Sequence, residues 1–125
     1  MIALDTSIVV DHLRNERAAV DLMEQVVGDG EQIVVSEIVR FEILVGVRSR
    51  ERGNVERFFT TLDWLPVDEA TVRLAADLAR EFRASHSDID TADYLIAATA
   101  IRMNAALLTK NVRHFPMFPD LVAPY

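Results

Sequence analysis

The feature that most constrains this 125-residue chain is its alternation of short apolar runs with longer stretches of helical period. Residues 1–4, 33–35, 64–67 and 106–109 read as strands. Residues 8–13, 18–27, 37–47, 55–62, 69–84 and 90–103 carry apolar side chains at helical spacing. Strands separated by helices pair in parallel through crossovers, and a parallel sheet needs cover on both faces. The pattern therefore predicts an α/β fold, an α/β/α sandwich with a central parallel sheet. Pro66 places the third strand at an edge, Ser36 is the expected cap of the third helix, and a further strand is expected near Leu121 and Val122. In such folds ligands bind beyond the C-terminal ends of the strands, which directs attention to the polar residues that stop each apolar run.

Composition narrows the chemistry. With 50% apolar residues and no repeats or linker-like stretches, one compact domain spanning residues 1–125 is expected. No apolar run approaches the roughly 20 residues that span a bilayer, and the start of the chain lacks a basic flank, so a soluble, cytoplasmic protein with no membrane partner is expected. The absence of cysteine excludes disulfides, thiolate metal sites and cysteine nucleophiles, and the three histidines lack metal-binding spacing. A metal would be held by oxygen. A net charge of −7 argues against simple nucleic-acid binding through a basic surface, but not against carboxylates gathered around a divalent cation that reverses the local field.

Three acids stand out by position. Asp5 ends the first strand, where its carboxylate either enters the crevice or caps the next helix. Glu42 has Ile38, Val39, Val45 and Gly46 three and four residues away, and on that apolar stripe it either sits at the edge in solvent or, partly desolvated, needs a cation or hydrogen bonds, with a salt bridge to a nearby arginine as the structural alternative. Asp93 shares a stripe with Ile89, Ile96 and Ala97, while Asp90 reads as the N-cap of that helix. An oxygen-only set of Asp5, Glu42 and Asp93 suits Mg²⁺ or Mn²⁺. Without a cation such a cluster repels itself, and the reaction that most often uses one is phosphoryl transfer.

Four segments then carry a resemblance. They are Ile2-Ala3-Leu4-Asp5-Thr6-Ser7, Val35-Ser36 through Glu42-Ile43-Leu44-Val45-Gly46, Asp93-Tyr94-Leu95-Ile96-Ala97-Ala98-Thr99-Ala100, and Leu108-Thr109-Lys110-Asn111-Val112-Arg113-His114-Phe115. In this order and spacing they resemble a VapC-type PIN domain over almost the whole chain. The resemblance implies a PIN-like three-layer sandwich and a Mg²⁺-dependent endoribonuclease, with Mn²⁺ as substitute, acting on structured RNA such as tRNA or rRNA. It also implies a homodimer, and a cognate VapB-like antitoxin in a type II toxin–antitoxin system. Metal-binding and catalytic roles carry over to Asp5, Glu42 and Asp93.

The chain departs from that pattern at the fourth acid. Asn111 stands where many relatives have Asp, and His114 stands before Phe115 where others carry an acid. Asn111 offers an amide oxygen to a metal or a water, or is a turn residue. His114 contacts phosphate, shuttles a proton, or is an ordinary loop histidine. Thr6 and Thr109 are supporting candidates that orient the acids, although caps and turns also favour Thr. Arg48, Arg50, Arg52 and Arg57 form the densest positive stretch, by default a solvated, salt-bridged surface, and no residue is assigned to RNA recognition.

These readings predict an endoribonuclease that attacks phosphorus with water and leaves a 5′-phosphate. The alternatives are a DNA-directed nuclease, a PIN-like module that binds nucleic acid or protein without cleaving, and a phosphoacceptor domain using Asp5. Apolar positions on 38–47 and 55–62 exceed what one core absorbs, which independently predicts a homodimer.

Overall fold

The computed structural model describes residues 1–125. Strands β1 (Ile2–Leu4), β2 (Ile33–Ser36), β3 (Asp63–Leu65) and β4 (Ala106–Leu108) form one sheet in the order β3-β2-β1-β4, with every pairing parallel. Helices α1 (Thr6–Leu13), α2 (Arg17–Gly28), α3 (Glu37–Gly46), α4 (Arg52–Phe59), α5 (Glu69–Phe82) and α6 (Thr91–Arg102) connect and cover it. Successive strand residues point to opposite faces, yet Ala3 and Leu4 are both buried, as are Val34 and Val35. Both faces are therefore covered, as in the sandwich expected from the sequence. Helix α6 packs on β1, β2 and β4, and α5 packs on α6. The core gathers Leu4, Ile8, Val9, Val39, Phe59, Ile96 and Phe115 between these layers.

Local signals set most boundaries. Ser36 ends β2 and caps α3 by accepting the Ile38 N–H at 3.3 Å. Asp68 does the same for α5, accepting from Thr71 N at 2.9 Å. Two expectations need correction. No strand forms near Leu121 and Val122: the Leu121 N–H closes a turn onto Phe118 at 3.1 Å, and Pro119 and Pro124 remove donors that a ladder would need. The helix expected over 55–62 instead begins at Arg52, after a 3₁₀ turn over Ser49–Glu51, and ends at Phe59. In addition β4 is an edge strand, so Leu107 is buried while Ala106 is exposed.

The strand order fixes where chemistry belongs. From β1 the chain proceeds to β2 and β3 on one side, whereas β4 lies on the other. The order therefore reverses between β1 and β4, and the crevice of such a sheet opens beyond their C-terminal ends. Asp5 follows β1, and Thr109, Lys110 and Asn111 follow β4.

Candidate functional site

Register brings the first two groups together. Leu4 pairs with Leu108, so the next residues, Asp5 and Thr109, lie side by side. The buried Thr109 hydroxyl donates to Asp5 Oδ2 at 2.7 Å, and Ser7 Oγ donates to the same oxygen at 2.8 Å. Asp5 stands at the N-cap position of α1, but its side chain makes no capping bond. Of the two roles open to it from sequence, the carboxylate takes the crevice. Its Oδ1 has no protein partner and keeps contact with solvent.

Glu42 reaches the same cleft from α3, where Thr6 Oγ1 donates to its Oε1 at 2.6 Å. No arginine pairs with it, so the salt bridge open from sequence is not what holds it. Burial raises the Glu42 carboxyl above its ordinary range, and the negative charges of Asp90 and Asp5 push the same way against the Thr6 bond.

Asp93 sits in the first turn of α6 in a reciprocal capping box. Its N–H donates to Asp90 Oδ1 at 2.9 Å, and the Asp90 N–H donates to Asp93 Oδ2 at 3.2 Å. Asp90 thus caps as expected, and it also lines the cleft. His114 Nδ1 stands 3.2 Å from Asp93 Oδ2, and its Nε2 stands 3.6 Å from Asp88. Burial pushes the Asp93 carboxyl up to about 6, helped by the charges of Asp90 and Asp5 and opposed by the Asp90 N–H and His114.

A common pattern emerges. Each of the three acids is anchored through one oxygen and leaves the other, Asp5 Oδ1, Glu42 Oε2 and Asp93 Oδ1, unpartnered and open to solvent. They line one cleft of ≈ 390 Å³ with Asn111 and His114. Asn111 is exposed, and its N–H donates to Thr109 Oγ1 at 2.9 Å, while its side chain makes no hydrogen bond within the protein. The donor set is that of a hard cation, since like charges crowd together with only partial compensation. No three His, Asp or Glu side chains close on a common point, so part of a cation's shell here would be water.

Three polar cleft residues, Ser7, Asp11 and Lys110, escaped the sequence reading. Asp11 shares a face of α1 with Ser7, four residues before it, and that spacing was the available signal. Lys110 Nζ lies 2.5 Å from Asp11 Oδ2, and the Tyr125 hydroxyl donates to the same oxygen at 2.9 Å. Burial would raise the Asp11 carboxyl, but those two bonds and the charges of Lys110 and Arg14 hold it below its ordinary value. Of the arginine stretch, Arg48 and Arg50 line a neighbouring pocket, while Arg52 and Arg57 are exposed surface.

Comparison with known proteins agrees with this architecture. A family model described as "PIN domain" matches residues 2–118. Ribonuclease VapC19 of Mycobacterium tuberculosis is 55% identical over 122 residues, covering 98% of each chain. Ribonuclease VapC10 of the same organism is 38% identical over 125 residues, covering 100% of this chain and 93% of that protein. Among solved structures, VapBC2 from Rickettsia felis bound to a DNA fragment from its promoter superposes with a TM-score of 0.82 at 25% identity, over 98% of this chain and 97% of that one. A toxin–antitoxin complex from Klebsiella pneumoniae gives 0.83 at 23% identity, over 100% and 98%, a likeness of fold alone. No helix is long and apolar enough to cross a membrane.

Proposed function

The chain belongs to the PIN-domain family, in its VapC branch, and on that premise we propose that it is a divalent-metal-dependent endoribonuclease, the toxin of a VapBC-type pair. The observation that carries this reading is the set of three free carboxylate oxygens on Asp5, Glu42 and Asp93, each fixed from behind by a hydroxyl or a backbone N–H. Curated relatives bear the name ribonuclease, which supports RNA as substrate. Mg²⁺ or Mn²⁺ held by these acids, partly through water, supplies the charge neutralisation and water polarisation that phosphodiester hydrolysis needs.

The chain's own groups do the rest. Ser7 and Thr109 hold Asp5 in place, and Thr6 holds Glu42. Glu42 Oε2 and Asp93 Oδ1 face the cleft without protein partners, which places them to accept a hydrogen bond from an attacking water and orient it. Because water and not a ribose hydroxyl attacks, the product carries a 5′-phosphate. His114 orients Asp93 through Oδ2 and leaves Oδ1 free.

Structures of toxin–antitoxin complexes with this fold support a VapB-like antitoxin as partner. Such a protein would quench the site by inserting a cationic side chain, Arg above all, among the carboxylates. The reading includes a homodimer and a single domain over residues 1–125. On α3, Phe41 and Val45 are 62% and 72% exposed, an apolar face suited to two-fold association. Val55, Phe59 and Leu62, which the sequence reading counted toward that surface, lie in the core instead.

The test is cleavage of tRNA and rRNA by the purified chain. Activity is expected with Mg²⁺ or Mn²⁺, none in chelator, and no rescue by Ca²⁺, whose looser geometry suits this catalysis poorly. End-sequencing should find 5′-phosphates. Full activity in excess chelator would reject the mechanism, and preferential cutting of a matched DNA hairpin would redirect the substrate.

A further inference from the structure

Beside the acidic cleft, and sharing Val10 and Glu42 with it, lies a second depression of ≈ 550 Å³ between α1, α3 and the turn that leads into α4. Its floor is apolar, with Leu13, Val47 and Val55 among its residues, and Arg14, Arg48 and Arg50 stand around it. The size falls within the roughly 300–1,000 Å³ of pockets that enclose small ligands. The cations are free to meet a ligand. Six of the twelve arginines of this chain pair with a carboxylate within 3.6 Å. Arg48 reaches Glu51 only at 3.9 Å, and Arg14 and Arg50 are two of the five arginines that form no ion pair, so all three guanidiniums around this pocket are left available to an anion.

Resting on the RNA-cleavage reading above, we propose that this pocket is a nucleotide subsite. It seats the base of a nucleotide next to the scissile phosphate on the apolar floor, while Arg14 and Arg50 hold the flanking phosphates. Position carries the argument. Glu42 borders both cavities, so a strand whose phosphate lies over Asp5, Glu42 and Asp93 and that leaves the cleft past Glu42 enters this pocket. Chemistry agrees, because a base needs an apolar or stacking surface and its phosphates need forked cations, and floor and rim supply both. The pocket also answers the problem posed by a net charge of −7. Three guanidiniums against Glu42 and Glu51 give a local positive balance beside the acids, and that local field steers a polyanion that the whole protein repels.

Gly46 provides a clean test. It closes α3, lines the pocket, and a Cβ built on it meets nothing within 4 Å. Gly46→Leu therefore fills the pocket without disturbing the core, and Leu is the better helix former. Binding is measured by fluorescence anisotropy in Ca²⁺, with labelled octauridylate and a base-free ribose-phosphate octamer as probes. Wild type should prefer octauridylate. Gly46→Leu should weaken octauridylate binding by about tenfold, the low end of what seating one base contributes, and abolish the preference. Arg14→Gln with Arg50→Gln should flatten the dependence of log affinity on log salt by about 0.7 per lost phosphate contact. A Gly46→Leu protein that melts like wild type and binds both probes like wild type overturns the subsite. Unchanged RNA binding with loss of a VapB-like antitoxin overturns it in favour of a peptide groove. A wild-type protein that neither binds nor cleaves RNA defeats the reading under Proposed function, and the subsite with it.

Discussion

Replacing Asp93 by Asn should make the metal-free protein more stable at neutral pH while removing its activity. The Asp93 carboxyl is held at about 6 against an ordinary 3.8, chiefly by burial of a side chain that is only 12% exposed. A carboxyl whose folded value is raised favours folding fully below its unfolded value, and that contribution is lost as pH climbs through the folded value. At about 1.36 kcal/mol per pH unit, the displacement from 3.8 to about 6 corresponds to roughly 3 kcal/mol lost by pH 7. Asn carries no charge to desolvate, and its amide oxygen can still accept the Asp90 N–H, though it forfeits the attraction of His114. The gain over wild type should therefore be near zero at pH 4, rise between about pH 4 and 6, and level off at about 1–3 kcal/mol above. Urea denaturation in chelator across that range reads it directly, as a midpoint shift of about 1 M for a slope of about 1–3 kcal/mol per molar. Added Mn²⁺ should then stabilise wild type and leave the variant unmoved. A difference that does not vary with pH, or an Asn variant less stable at pH 7, refutes the account. Cleavage should fall by at least ~10²-fold with an unchanged circular dichroism spectrum.

Thr6→Val removes the bond that opposes the rise of the Glu42 carboxyl, so the acid limb of the pH–rate profile should move upward; an unmoved limb removes Glu42 ionisation from the rate law. Phe41→Glu should turn a dimer into monomer at micromolar concentration without loss of thermal stability, since Phe41 is largely exposed; sedimentation checks it, and a wild type already monomeric defeats it. Asn111→Asp should tighten Mn²⁺ binding by calorimetry and Asn111→Ala weaken it, both less than Asp93→Asn does; identical affinities in all three make Asn111 a turn residue only.

What the sequence made legible was periodicity. Helix α6, with its capping box, lies within two residues of where the spacing put it, and β1, β2 and β4 fall on their apolar runs, because these signals are local, whereas β3 takes Asp63–Leu65 and stops before Pro66 instead of spanning 64–67. Legibility failed where an element depends on its neighbours. The stretch over 121–122 looks like a strand by composition, but no sheet edge is offered to it, and the turn at Phe118 takes its donor. The apolar face of 55–62 looked like interface because nothing in the sequence says that Phe59 packs beneath Trp64 and into the core. The acids were found singly from their positions on apolar stripes. Their common cleft follows from parallel register, which sets Asp5 beside Thr109 across more than a hundred residues of chain. Asp11 and Lys110 were missed because they stand far apart in the chain and each alone reads as a surface charge until the fold brings them to the same rim.

The loop after β4 explains how the chain tolerates an amide at the fourth position. Thr109 Oγ1 donates to Asp5 and accepts the Asn111 N–H, and Ser7 Oγ donates to Asp5 and accepts the Lys110 N–H at 3.2 Å. Two hydroxyls, each donating to the Asp5 carboxylate and accepting a backbone N–H of the loop, therefore tie the ends of β1 and β4 together. The side chain at 111 has no part in that lacing, so its identity can change without moving Asp5. What it changes is charge. The cleft already holds Asp5, Asp11, Glu42, Asp90 and Asp93 against Lys110 and His114, and mutual repulsion adds to burial in raising Glu42 and Asp93. A further carboxylate at 111 would push both higher still and destabilise the metal-free fold by the linkage that governs Asp93. An amide avoids that cost, and on the proposed metal-dependent reading it would give up part of the site's attraction for a cation, setting stability without metal against affinity for metal at this one position.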